Sequence, residues 1–103
     1  MAKYRRGRIN DEVKKSMASI LRKVKDPRVS EAFISVTGAE VTPDLKFAKI
    51  YYSAMNAATP EAKKEVRLGL KSSAGFIRRA LSAELNLRIT PELSFVEDSS
   101  IQY

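Results

Sequence analysis

The sequence predicts an α+β fold: a single domain in which helices cover a three-stranded sheet, in the order α-β-β-α-kink-α-β. Three observations lead to this prediction. Helical periodicity occurs in two separate segments, strand-like alternation lies between and after them, and a chain of 103 residues has room for one small core. An apolar fraction of 44% against 30% charged residues is typical of a chain that folds.

The first helix is predicted to run from Ile9 towards Asp26. Its apolar residues recur every three or four positions and share an arc of roughly 120°. They are Ile9, Val13, Met17, Ile20, Leu21 and Val24. The residue before a proline avoids helical geometry, so the Asp26-Pro27 pair is expected to end the helix. Residues 1–8 are basic and are expected to form a flexible arm ahead of it.

Two strands are predicted next, joined as a β-hairpin. Segments 33–41 and 47–53 are rich in β-branched and aromatic residues, and 42–46 has the composition of a turn. Gly38 interrupts the first strand and is expected to mark a bulge. Adjacent strand residues face opposite sides of a sheet, so only one of Tyr51 and Tyr52 can join the core. The two alternating sets are Ala48, Ile50 and Tyr52 against Phe47, Lys49 and Tyr51.

A second helix is predicted from Thr59, whose hydroxyl can cap it, with Pro60 at its first position. The last strand is predicted where apolar residues alternate over 87–89 and 93–95. Pro91 lies within this pattern and cannot donate a ladder hydrogen bond. We therefore expect this strand at an edge of the sheet or at a bulge.

The second helical segment changes its apolar register at Ser73-Ala74-Gly75. Small residues at such a change indicate a kink. Gly75 lacks a side chain that would block a bend, so we expect it to permit the kink and thereby to seat Phe76 and Ile77 on the sheet.

The chain has a net charge of +7 and a pI near 9.9, which points to a polyanionic partner. The charge is concentrated in two blocks, +7 over residues 1–28 and +4 over 61–89, whereas 90–103 carries −3. No apolar run is long enough to span a bilayer, and no apolar leader follows the basic start. These features predict a cytoplasmic protein that does not use a membrane, and we expect a monomer.

The sequence lacks several of the residue types that enzymes most often use for catalysis. Cysteine and histidine are absent, which removes disulfides, thiolate nucleophiles, imidazole bases and all but all-carboxylate zinc sites. The acidic pairs Asp44 with Glu40 and Glu92 with Asp98 have no partner group that would complete a site. We predict no enzyme activity, no metal, no cofactor and no small-molecule substrate.

In the order and spacing of its motifs the chain resembles the ribosome-binding factor A family over nearly its whole length. The motifs are Lys25-Asp26-Pro27-Arg28, Val41-Thr42-Pro43-Asp44-Leu45, Ala48-Lys49-Ile50-Tyr51, Ser73-Ala74-Gly75-Phe76-Ile77-Arg78, Leu87-Arg88-Ile89-Thr90-Pro91-Glu92-Leu93-Ser94-Phe95 and Asp98-Ser99. The resemblance implies a single type II KH-like domain over 1–103, with 97–103 beginning a C-terminal tail. It implies that Ser73-Ala74-Gly75 replaces the GxxG clamp that KH domains use on single-stranded nucleic acid. It also implies binding to the small (30S) ribosomal subunit, a role in late maturation of 16S rRNA, and cold adaptation.

Basic side chains are the candidate RNA contacts. Lys63, Arg67 and Lys71 follow one helix face at four-residue spacing, and further cations continue beyond the kink. A row of basic side chains on one helix face either binds phosphate groups or is only the solvent-exposed side of the helix. The predicted RNA-binding set is Arg5, Arg6, Arg8, Lys14, Lys15, Arg22, Lys63, Lys64, Arg67, Lys71, Arg78 and Arg79.

Two other functions compete with a ribosome-specific factor. A general RNA or DNA chaperone fits the composition equally well, and saturation at one site per small subunit in the presence of competitor RNA would separate the two. A peripheral membrane protein could use the amphipathic basic first helix, although that helix lacks Trp and Phe on its apolar face. Flotation with liposomes would test that alternative.

Overall fold

The computed structural model describes residues 2–98, with side chains from Arg8 onward, and confirms the predicted α+β fold with a three-stranded sheet. Its elements in chain order are α1 (Ala2–Leu21), α2 (Pro27–Ser30), β1 (Ile34–Val41), β2 (Phe47–Ala54), α3 (Pro60–Ser72), α4 (Ala74–Leu85) and β3 (Glu92–Glu97). The short helix α2 was not predicted. All other elements lie where the sequence pattern placed them, with shifts at their ends.

The sheet has the order β1-β2-β3, so β2 lies at its centre. β1 and β2 are antiparallel, and their register shifts between Val36 and Gly38, which confirms the bulge expected at Gly38. β3 runs parallel to β2 because the helical pair α3–α4 carries the chain back across the sheet. β3 is therefore an edge strand, as expected from Pro91, but it begins at Glu92 and does not include 87–89.

One face of the sheet is covered by helices and the other is open. Ala48, Ile50 and Tyr52 of β2 are buried, whereas Phe47 and Lys49 are exposed, so the predicted alternation is confirmed. Burial raises the pKa of the Tyr52 hydroxyl. The helices complete the core with Val13, Met17 and Ile20 of α1, Val66 and Leu70 of α3, and Ile77 and Leu81 of α4.

The first helix differs from its prediction at both ends. α1 begins at Ala2, so the basic segment 2–8 that was expected to be a flexible arm has helical backbone. Its Lys, Arg and Ala residues favour helix, and Arg8 lies 4.0 Å from Glu12 one turn later. At the other end α1 stops at Leu21 and not at Asp26.

Asp26 begins a helix rather than ending one. Its carboxylate accepts a hydrogen bond from the backbone N–H of Arg28 at 2.9 Å and caps α2, with Pro27 in the first turn. The Arg28 side chain donates to the same carboxylate through Nε at 3.1 Å and Nη2 at 2.8 Å. The side-chain bonds are the largest cause that lowers the pKa of Asp26, and they raise the pKa of Arg28.

The kink between α3 and α4 is confirmed at Ser73, where the helix is interrupted for one residue. The role expected for Gly75 is wrong. A Cβ on Gly75 would meet only the Arg79 guanidinium, at an ordinary 3.5 Å, and Phe76 is 42% exposed instead of seated on the sheet. Ile77 is fully buried, as expected. Gly75 has no positive φ, so the kink does not rest on a special backbone conformation at this glycine.

The end of the described chain also differs from the sequence expectation. A tail was expected from residue 97, but Glu97 is the last residue of β3. The backbone N–H of Asp98 donates to the Tyr52 carbonyl at 2.7 Å, and the Thr37 hydroxyl donates to the Asp98 carboxylate at 2.8 Å. Residues 97 and 98 therefore belong to the sheet. The remainder of the expected tail, 99–103, lies outside the described residues.

Candidate nucleic-acid interface

The exposed side of α3 carries three cations, Lys64, Arg67 and Lys71, which we call the α3 basic strip. Their spacing places them within an arc of roughly 60°. The centre of the strip lies roughly 110° around the helix from the buried residues Val66 and Leu70, which fix the rotation of α3 on the core. Because the core side sets this rotation, the strip is presented to solvent.

A shallow depression of about 280 Å³ lies beside the strip, where α3 meets α4 and β3. Arg67 and Lys71 form its basic side, and half-buried Leu93 and Phe95 form an apolar side. Ala74, the first residue of α4, also lines it. This arrangement can hold a phosphate against the two cations and apolar ring or sugar surface against β3.

Lys63 and Arg78 of the predicted RNA-binding set make contacts between elements, whereas Arg8 of the same set pairs with Glu12 on its own helix. Lys63 Nζ lies 3.3 Å from Glu97 Oε2, so it joins α3 to β3. Arg78 donates from Nε to the Pro91 carbonyl at 3.0 Å and from Nη2 to the Thr90 carbonyl at 3.2 Å. These contacts attach α4 to the segment that enters β3. Whether either cation also contacts RNA stays a prediction.

The other predicted cations with described side chains lie on α1 and α4. Arg79 is exposed on α4 near Gly75, and Lys14, Lys15 and Arg22 are exposed on α1. Arg8 is exposed as well. The side chains of Arg5 and Arg6 lie outside the described residues. The structure thus places the α3 basic strip and the described α1 cations on different elements.

Sequence reasoning missed Leu93 and Phe95 as parts of this site. Their alternation was visible, and residues two apart on a strand face the same side of a sheet. What the pattern could not show is that the parallel pairing of β3 with β2 brings this side next to Arg67 and Lys71.

Other kinds of site find little support in residues 2–98. No group of three or more acidic side chains in that part of the chain has the arrangement of a metal site. Within the same range no helix combines the length and the apolar character needed to cross a membrane.

Comparison with known proteins identifies the family. The family model described as ribosome-binding factor A matches residues 5–103. The chain is 50% identical over 103 residues to the ribosome-binding factor A of Clostridium botulinum strain Loch Maree, a match that covers 99% of this chain and 83% of that protein. It is 49% identical over 104 residues to the Clostridium tetani protein of the same name, covering 100% and 84% of the two chains.

Solved structures agree with this result. The solution structure of a candidate ribosome binding factor A from Thermotoga maritima matches with a TM-score of 0.80 and 31% identity, over 97% of this chain and 92% of that one. The crystal structure of the Thermus thermophilus factor matches in fold with a TM-score of 0.73 and 20% identity, over 89% and 94%. A homology model of the Thermus factor, fitted into a cryo-EM map of a 30S complex, matches with a TM-score of 0.70 and 19% identity, over 90% and 94%. The matched family model, the relatives of about 50% identity and the shared fold together show that this chain belongs to the ribosome-binding factor A family.

Proposed function

We propose that this protein is a non-enzymatic assembly factor that binds the small (30S) ribosomal subunit through 16S rRNA. It acts in the cytoplasm during late maturation of that RNA, and this includes growth in the cold. Family membership supports the general role, and the fitted position of the Thermus factor in a 30S complex supports the partner. No turnover is required, because binding energy spent on one RNA conformation shifts the population towards it.

The observation that carries this proposal is the α3 basic strip beside its depression. None of Lys64, Arg67 and Lys71 forms an ion pair with another described residue, whereas neighbouring Lys63 does. Cations without an internal partner are free to replace the counterions of a phosphate backbone. Together with the depression that Arg67 and Lys71 line, this makes the strip our candidate RNA surface.

The side chains that line the depression indicate which features of RNA the protein can recognise. Apolar Leu93 and Phe95 offer a surface for a base or a sugar but no hydrogen-bonding groups that would distinguish one base from another. We therefore propose that the protein recognises RNA shape and backbone position, and that base identity has a secondary role.

The proposed partner is tested by titrating labelled protein against purified immature 30S particles in the presence of excess transfer RNA. We expect saturation at one protein per particle, and crosslinks from the bound protein that map to a single region of 16S rRNA. Binding that keeps increasing with added RNA of any kind would instead identify a general RNA chaperone.

A further inference from the structure

A second concave surface, independent of the proposed RNA site, lies along the outer edge of β1. We call it the β1 groove, and its volume is about 550 Å³. Its lining includes Ile34 and Val36 of β1, Met55 after β2, and Ala18 and Arg22, which make up its α1 wall. Among its lining residues, only Arg22 belongs to the predicted RNA-binding set, and none belongs to a family motif.

Two large apolar side chains at the groove are left in solvent. Phe33 is 65% exposed and Met55 is 76% exposed. The backbone N–H of Met55 donates to the Phe33 carbonyl at 3.3 Å, which keeps the two residues side by side. Exposed apolar groups that lie together mark contact surfaces, and methionine adapts well to a partner.

The backbone at Phe33 is strained. Its φ is 52°, in the left-handed region that a bulky residue rarely adopts. Glycine or asparagine would take this conformation at lower cost. The core does not need the ring, which points into solvent, so strain and exposure together indicate that Phe33 is held in place for a contact.

β1 offers an unpaired backbone edge to this groove. It is an outer strand of the sheet, so within residues 2–98 its outward N–H and C=O groups have no strand partner. At the far end of the strand, the Asn10 side chain accepts a hydrogen bond from the Val41 N–H at 2.9 Å and protects that end. The end that contains Ile34 and Val36 faces the groove. Edge groups of this kind pair with another extended peptide.

The charged side chain that lines the groove favours an occupant of opposite charge. Arg22 lines it, and none of its lining residues is a carboxylate. Lys14, Ala18 and Arg22 follow one another at one-turn intervals along α1, so the small Ala18 lies between two exposed cations. An occupant with carboxylates therefore complements this wall.

We propose that the β1 groove binds an extended acidic peptide segment of a partner protein, which adds to the sheet as a strand beside β1. Its apolar side chains pack on Phe33 and Met55, and its carboxylates face Lys14 and Arg22. A peptide is favoured over RNA because strand addition uses both the N–H and the C=O groups of the edge, whereas a phosphate backbone has no N–H groups to pair with the carbonyls.

The test uses a blocked peptide of about seven residues that alternates aspartate or glutamate with valine or isoleucine. A second peptide has lysine and arginine in place of the acids, and a third probe is oligouridylate RNA. Each is titrated into the labelled protein while backbone amide shifts are followed by NMR. We expect the acidic peptide to saturate with a Kd below about 1 mM and to shift the amides of residues 33–36. We expect no saturation with the basic peptide.

Two variants test the groove directly. Phe33→Asn removes the ring and suits the positive φ, so it should keep the thermal stability of the protein while weakening the acidic peptide about tenfold. Phe47→Asn, which removes another exposed Phe on the open sheet face, is the matched control and should leave the affinity unchanged. Arg22→Glu should weaken binding of the acidic peptide, and Lys64→Glu should leave its affinity unchanged.

Three results would overturn the proposal. They are the absence of saturable binding by the acidic peptide, equal effects of Phe33→Asn and Phe47→Asn, and saturable shifts at residues 33–36 caused by oligouridylate and not by the peptide. The last result would assign the groove to RNA. The first two results leave the proposed function untouched, whereas the third would place RNA beside α1, which the charge-reversal variants on 30S particles test separately.

Discussion

Gly69 of α3 lies so close to α2 that a Cβ at this position would be 2.9 Å from Val29 Cγ2. The same atom would be 2.9 Å from Arg28 Cβ. Only glycine permits this approach, which holds the Asp26-capped helix α2 against the helix that carries the basic strip. The glycine that matters for packing is therefore Gly69.

We expect Gly69→Ala to destabilise the protein. Overpacking costs about 1–3 kcal/mol, and the gain of about 1 kcal/mol in helix propensity offsets only part of it. Gly75→Ala is the matched control and should be neutral or stabilising, because its Cβ meets only Arg79 at an ordinary distance. Urea unfolding of both variants measures the difference. Equal stability of the two would show that the α2–α3 contact is not tight.

The second prediction concerns acid stability. The pKa of Asp26 is lowered by its hydrogen bonds with Arg28, so its charge stabilises the folded state above the pKa of the unfolded chain. That stabilisation should be lost as the pH falls through the lowered folded-state pKa. Asp26→Asn keeps an oxygen that can cap α2 but removes the charge, so its stability deficit at neutral pH should shrink in acid.

Carbon-13 NMR of the Asp26 carboxyl should give a pKa below the ordinary aspartate range. Arg28→Gln should raise that pKa back towards the ordinary range, because the guanidinium bonds are removed. An Asp26 pKa that does not respond to Arg28→Gln would mean that the capping N–H alone lowers it.

The third prediction compares how much Arg78 and Arg79 contribute to the stability of the fold. We expect Arg78→Ala to cost about 1–2 kcal/mol, because it removes two hydrogen bonds to the Pro91 and Thr90 carbonyls. Arg79→Ala removes a neighbouring exposed cation and should change stability by less than about 0.5 kcal/mol. Thermal or urea unfolding compares the two. If Arg78→Ala is as stable as Arg79→Ala, the carbonyl contacts do not stabilise the fold.

The fourth prediction concerns the salt dependence of RNA binding. Each neutralised phosphate contributes a slope of about −0.7 to −0.9 to log K against log salt concentration. Arg67→Gln should reduce the magnitude of the slope by about one such step, and Lys23→Gln, an exposed cation outside the predicted set, should not change it. A wild-type affinity that does not vary with salt would indicate docking through ribosomal proteins.

Local signals predicted a large part of the fold. The Thr59 cap, the bulge at Gly38 and the burial of only one of Tyr51 and Tyr52 each depend on residues close in sequence or on strand alternation, and all three are present. The sequence also indicates the start of α2. An Asp followed by a Pro, such as Asp26-Pro27, is typical of the first positions of a helix as well as of the end of one.

The features that could not be predicted depend on distant neighbours. Gly69 is critical only because α2 packs on it, and Arg78 is engaged only because the chain before β3 passes beside α4. Likewise, nothing in the local sequence of Phe33 indicates a positive φ or a groove. Tertiary placement decides which of several equivalent-looking cations and glycines have a role.

We assign the RNA interface to the α3 basic strip, and a charge-reversal comparison on immature 30S particles tests this assignment. The test variant is Arg67→Glu with Lys71→Glu. Its control is Lys23→Glu with Lys46→Glu, which changes the net charge equally at two other exposed positions. A third double variant, Lys14→Glu with Arg22→Glu, changes α1.

Circular dichroism and melting should match the wild type for all three, because these side chains are exposed. We predict that the α3 variant binds the particles at least tenfold more weakly, about 1.4 kcal/mol, while the control variant loses much less. Weakening by both the α3 and the α1 variants would extend the footprint to α1. Wild-type binding by the α3 variant together with loss of binding by the α1 variant would contradict the claim and place the RNA interface on the first helix.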